Sequence, residues 1–143
     1  MATIVVLTVC AAATASFVIP PSYRASGTMI LLSPAPGDGS NPFAQAGSGV
    51  AAEALLSSVN SQSFAIRARD AGIGKEFDVE ISSRGGGVIL VLTTDSKAAG
   101  TAMGDFHELT ELLGQELLDV QKRGGATAAF ITAQILSSPI EAI

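Results

Sequence analysis

Hydrophobic and polar residues follow three different rhythms along the chain, and each predicts a different element. From Tyr23 to Leu32 the pattern alternates, with Tyr23, Ala25, Gly27, Met29 and Leu31 on one face at a period of two, which predicts a strand. Phe77–Ser83 alternates in the same way, Phe77, Val79 and Ile81 against Asp78, Glu80 and Ser82. Val88–Thr94 is apolar-rich and opens on the continuous run Val88–Leu92, which predicts a central strand covered on both faces. Arg84-Gly85-Gly86-Gly87 between these runs predicts a hairpin turn. Ala126–Ser138 predicts a closing strand, with Ala128, Phe130 or Ile131 and Ile135 set among Thr and Gln.

The helical rhythm appears three times. Gly49–Val59 predicts a short amphipathic helix with Val50, Ala54 and Leu55 inward. Gln62–Ala71 predicts a second, with Ser61 as N-cap and Gly72 at the left-handed C′ position. The longest is Ser96–Arg123, capped by Asp95 or Ser96 and stopped by Gly124-Gly125. Its apolar stripe runs through Ala99, Ala102, Phe106, Leu109, Leu113, Leu117 and Val120, and Phe106 and Leu113 are expected against Val88–Leu92. Glu108, Glu111, Gln115, Asp119 and Lys122 take the opposite face. Ser33–Ser48, rich in Pro, Gly, Ser and Asn, predicts a loop with little means of packing. The order β-α-α-β-β-α-β predicts an α+β domain over residues 23–143, with helices gathered on one face of a sheet of about four strands.

The third rhythm is the absence of any. Ala2–Ile19 is an uncharged, mostly apolar run, about 27 Å long as a helix and bounded by Pro20-Pro21. It predicts a membrane helix within residues 1–22, with a cleaved signal peptide or a buried core helix as alternatives. A basic n-region is missing, although Ala13-Thr14-Ala15 could serve as a cleavage site. Bulky Val9 before Cys10 argues against a lipoprotein signal. Arg24 alone follows the run closely, so charge does not orient it.

Composition narrows the chemistry. Of 143 residues, 8 are Lys or Arg and 13 Asp or Glu, giving a net charge of −5 that disfavours nucleic acid. One Cys and one His exclude an internal disulfide framework and a Cys/His-rich zinc site. The chain is expected to be non-enzymatic and to use no cofactor. Gly47-Ser48-Gly49-Val50-Ala51-Ala52 matches G-x-G-x-x-A but follows a Pro-rich loop instead of a strand, so it reads as a loop entering a helix. Gly74-Lys75 lacks the rest of a phosphate loop, and His107 has no nucleophile placed to make a triad. The carboxylates Asp105, Glu108, Glu111 and Asp119 read as a solvated helix face before a cation site. Arg67 and Arg69, with Lys75 nearby, form a basic cluster suited to acidic sugars, lipid phosphates or plain solvation.

Several pieces in order resemble a known family. An apolar helix ending Pro20-Pro21-Ser22-Tyr23 leads through Ala25 and Ser26 into a strand. Val88–Leu92, Asp95-Ser96-Lys97-Ala98-Ala99, Leu117-Leu118-Asp119-Val120-Gln121 and Ile131–Pro139 follow. Together these resemble the extracytoplasmic part of the Wzz-type chain-length determinants (polysaccharide co-polymerases), particularly actinobacterial members. The resemblance implies a single-pass cell-membrane protein that regulates exported polysaccharide length as a homo-oligomer, with a polysaccharide polymerase or cytoplasmic tyrosine kinase as partner. Such relatives usually carry a second membrane helix, and many a kinase part, so this chain would be a shortened relative or a fragment. Arg67 and Arg69 on one wet face, and Glu108, Glu111 and Asp119 on another, are the candidate subunit contacts. The alternative is a secreted or anchored α+β binding module unrelated to polymerisation.

Overall fold

The structure is a computed structural model that describes residues 22–34, 40–74, 76–84, 87–137 and 140–142. Its elements are β1 (Tyr23–Leu32), α1 (Pro42–Ala46), α2 (Ser48–Val59), α3 (Gln62–Asp70), β2 (Phe77–Arg84), β3 (Gly87–Ser96), α4 (Ala99–Arg123), β4 (Thr132–Ser137) and β5 (Ile140–Ala142). The strands make one antiparallel sheet in the order β2-β3-β1-β4, and β5 also pairs with β1. The expected α+β class and one-sided helical layer are observed, with one further helix and one further short strand.

Alternation decides which face is which. Ala25, Met29 and Leu31 of β1, Leu90, Leu92 and Thr94 of β3, and Val79 of β2 are buried beneath the helices. Gly27 is on the same face because the Phe106 ring crosses it. A Cβ at Gly27 would fall on the carbonyl oxygen of Ser137 and lie 2.6 Å from Phe106 Cζ. The other sheet face carries Ser26, Thr28 and Ile30 opposite Thr93, Val91 and Ile89, and no described element covers it. This corrects the expectation for β3. Its position is central, between β2 and β1, but only one of its faces is covered.

The helices differ from the pattern in instructive ways. In α2 the buried residues are Ala51, Ala52, Leu55 and Val59, while Val50 is 45% exposed. The inward stripe is therefore turned from the expected Val50–Ala54 line, because two alanines allow closer approach than valine does. Helix α3 ends as expected. Ser61 Oγ accepts from Phe64 N, and Gly72 has φ +85°, with Ile73 N donating to Ala68 O and Gly72 N to Arg69 O. Helix α4 starts later than expected, at Ala99, because Asp95 and Ser96 belong to β3 and the N-cap Ala98 offers no side-chain bond. Phe106 and Leu113 are buried, and Glu108, Glu111 and Asp119 are exposed, as the stripe predicts.

Two buried polar assemblies fasten the helices. Glu116 on α4 is fully buried, and its carboxylate accepts from Ser58 Oγ on α2, from Arg67 on α3 and from Arg123 at 2.6 Å on α4 itself. Burial pushes this carboxyl's pKa up, but the hydrogen bonds from Ser58, Arg67 and Arg123 and the charge of Arg67 outweigh it, leaving the pKa below the ordinary glutamate value. The second assembly joins Asn41 to Gln121. Asn41 Nδ2 donates to Gln121 Oε1 at 2.7 Å and Ala129 O at 2.9 Å, while its Oδ1 caps α1 at Phe43 N and Ala44 N. Gln121 in turn donates to Leu117 O and Ile131 O and accepts from Ile131 N. Within the Ser33–Ser48 stretch, expected to pack little, Asn41 is thus a buried anchor and Pro42–Ala46 is helical.

The expected membrane helix, Ala2–Ile19, lies outside the described residues. Among those described, no helix is long and apolar enough to cross a membrane. The longest, α4, carries Asp105, Glu108, Glu111, Glu116 and Asp119 along its length.

Gly27→Ala is expected to cost about 1–3 kcal/mol in a denaturant melt, since the new methyl meets backbone and an aromatic ring with no room to yield. Glu116→Gln is expected to cost about 1–3 kcal/mol at neutral pH, the scale of hydrogen bonds to a charged group. The sign of its pH dependence follows from the lowered pKa. The carboxylate's contribution is fully present above the unfolded-chain pKa and is lost as pH falls through the lower folded value. Acid titration of stability should therefore be shallower in Glu116→Gln than in the parent.

Candidate functional site

The residues singled out by sequence are separated by the fold. Arg67 turns inward onto Glu116, its guanidinium 5.5 Å from the Phe64 ring centroid, and is committed within the domain. Arg69 is exposed in the last turn of α3. Glu108, Glu111 and Asp119 line the outer face of α4, where Glu111 Oε1 stands 3.3 Å from His107 Nε2, both side chains well exposed. Asp105 is buried and accepts from Gly74 N at 3.1 Å, which removes it from the outer carboxylate face. Among the described residues no three His, Cys, Asp or Glu are grouped to hold a metal ion. Gly47-Ser48-Gly49 does open helix α2, with φ +98° at Gly47, but it follows helix α1 and not a strand.

A concentration of unusual features lies instead along β2. This strand ends the sheet order, so its outer edge is unpaired among the described residues. Glu76 just before it, and Asp78 and Glu80 within it, alternate toward the uncovered face, about 7 Å apart at the strand repeat. With Val91 and Thr93 they line a shallow hollow of about 410 Å³, closed at one end by Arg24 and Asp95. That pair is bidentate, Arg24 Nε to Asp95 Oδ1 at 2.9 Å and Nη2 to Oδ2 at 3.0 Å, joining opposite register positions of β1 and β3. The hydrogen bonds and charge of Arg24 hold the Asp95 carboxyl below its ordinary pKa.

On the helix side of the same strand is a smaller notch of about 120 Å³, lined by Ala65, Ala68, Arg69, Ile73, Gly74 and Phe77. Phe77 lines both concavities and meets Phe64 edge to face, ring centroids 6.1 Å apart. An anionic hollow and an apolar notch therefore flank one free strand edge. Alternation of Asp78 and Glu80 with Val79 and Ile81 is visible in the sequence, but the notch depends on α3 packing beside β2. The buried Glu116 did leave a signal, since it interrupts the apolar stripe between Leu113 and Leu117–Val120.

No protein-family model matches the chain, and no curated protein is similar to it. Solved structures with some likeness in backbone path include the intact alpha subunit of aIF2 from Pyrococcus abyssi, at 21% identity and TM-score 0.41, covering 85% of this chain and 36% of that one. A C-terminal segment of the same subunit gives 22% identity and TM-score 0.40, covering 85% of this chain and 53% of that one. The chain thus spans between a third and about half of the length of those proteins. No family model and no curated protein supports a chain-length determinant. The Wzz-type resemblance is corrected on that finding. With it fall the regulation of polysaccharide length, the oligomer, polymerase and kinase partners, and the single-pass membrane placement. The secreted or anchored alternative gains nothing from the comparisons either.

Proposed function

We propose that the domain is a non-catalytic recognition module that meets another protein on the side of the sheet left bare by its helices. The observation that carries this reading is the one-sided architecture. On one face the strands pack beneath α2 and α4, with Phe64 of α3 against Phe77 of β2, while Ile30, Ile89 and Val91 stand half-buried on the other with no described element above them. An apolar group on a face of this kind is stabilised by a partner that removes it from water.

The polar interior supports the same reading. Asn41, Gln121, Glu116, Asp105 and Thr94 are buried, and each bonds to another helix, strand or turn. Thr94 Oγ1, for example, donates to Ala102 O at 2.9 Å and ties β3 to α4. These groups hold the fold. The bare face also carries net negative charge at its β2 side, which disfavours pairing with the same face of a second copy and favours a cationic partner.

Val91→Lys in the full chain is expected to cost no more than about 1 kcal/mol, the difference in strand preference at a half-buried position that no described element covers, whereas neighbouring Leu92→Ala should cost about 2–5 kcal/mol. A loss of several kcal/mol from Val91→Lys would mean that the face is already covered and is not a recognition surface. In cells, a photo-reactive residue at Thr93 should give a cross-linked species of discrete mass that Val91→Lys removes, with none from position Glu111. Equal cross-linking from both positions contradicts the reading.

A further inference from the structure

The edge of β2 has a direction and a chemistry that the bare face alone does not supply. Asp95 N donates to Glu76 O at 2.9 Å, so these two residues form a hydrogen-bonded antiparallel pair. Bonded and non-bonded pairs alternate, which makes Asp78–Thr93 and Glu80–Val91 the next bonded pairs along the register. Phe77, Val79 and Ile81 therefore aim their N–H and C=O groups outward, away from β3. A strand laid antiparallel to this edge would exchange backbone bonds with those three residues. Its side chains opposite Asp78 and Glu80 would then stand on the hollow side, and those opposite Phe77, Val79 and Ile81 on the helix side.

We propose that the free edge of β2 takes an extended segment of another protein, with basic residues beside Asp78 and Glu80 and alternate apolar residues on the side of the notch formed by Ala65, Ala68, Ile73 and Phe77. This rests on the reading of the domain as a recognition module and names its partner. Three facts select the occupant. Glu76, Asp78 and Glu80 have no side-chain partner among the described residues, and their repeat of about 7 Å matches that of alternate residues in an extended chain. The notch is lined mainly by apolar side chains, and Arg69, which also lines it, disfavours a cation there, so the surface that favours cations and the surface that favours apolar groups lie on opposite faces. A second copy of β2 is a poor occupant, because pairing would set carboxylates against carboxylates. Charges on a free edge by themselves keep like edges apart. Here they coincide with a notch of the size of a side chain, and the two features ask for one alternating pattern.

The test uses the full chain and two synthetic peptides, acetyl-Lys-Val-Lys-Val-Lys-Val-amide and its counterpart with Glu in place of Lys. The basic peptide is expected to bind at least about tenfold more tightly at low ionic strength, and to weaken as salt is added. Amide shifts in the NMR spectrum should centre on Phe77, Val79 and Ile81. Asp78→Lys with Glu80→Lys should reverse the preference. Ala65→Trp, placed on an exposed helix position that lines the notch, should weaken both peptides at least about tenfold with the circular dichroism unchanged. Equal binding of the two peptides, or binding of neither, overturns the proposal. Shifts centred on Ile30 and Ile89 would also overturn it, while leaving the bare face as a recognition surface.

Discussion

The arrangement of this domain depends on one carboxylate without access to water. Glu116 receives hydrogen bonds from α2, α3 and the end of α4, and therefore sets where three helices meet. An unpaired carboxylate there would be expensive to desolvate, so the fold is stable with both arginines and the serine in place and poor without them. The arginines also sit in the last turns of α3 and α4, where a cation offsets the negative end of the helix. One interaction thus neutralises a buried charge and two helix ends together.

That meeting point has a geometric consequence. With α2 packed against α4 and α3 tied to it through Arg67 and Glu116, the helical layer lies on one side of the sheet, and Phe64 of α3 meets Phe77 of the outer strand. The notch under α3 exists because Ala65 and Ala68 are small where α3 passes Phe77. On the far side of the same strand no described element is packed, and Glu76, Asp78 and Glu80 line the hollow there. The helix contact that stabilises the core and the edge that is free to bind are two results of the same placement.

Much of this was legible in the chain. Periods of two and of 3.6 locate the long strands and helices to within a few residues, and Ser61 and Gly72 mark the ends of α3 by their cap chemistry. Fold class follows from that order. What escaped depends on partners far apart in sequence. Asn41 is one polar residue in a Pro-rich stretch until Gln121, 80 positions away, bonds to it. Arg67 reads as a surface cation until Glu116 draws it inward. Whether Val91 is covered on its second face cannot be decided from a continuous apolar run, since a buried strand and a half-bare one share that pattern. The soft pattern of motifs that resembled chain-length determinants had the same weakness, because element order and Pro placement are shared by unrelated α+β chains.

The central claim is that β2 presents an unpaired edge with alternating backbone polarity. Native-state hydrogen exchange on the full chain measures it amide by amide. Asp78 and Glu80, bonded inward to β3, should exchange slowly, while Phe77, Val79 and Ile81 should exchange far faster despite lying between them. Uniform slow exchange across Phe77–Ile81 would mean that the edge is already paired, and would contradict the account.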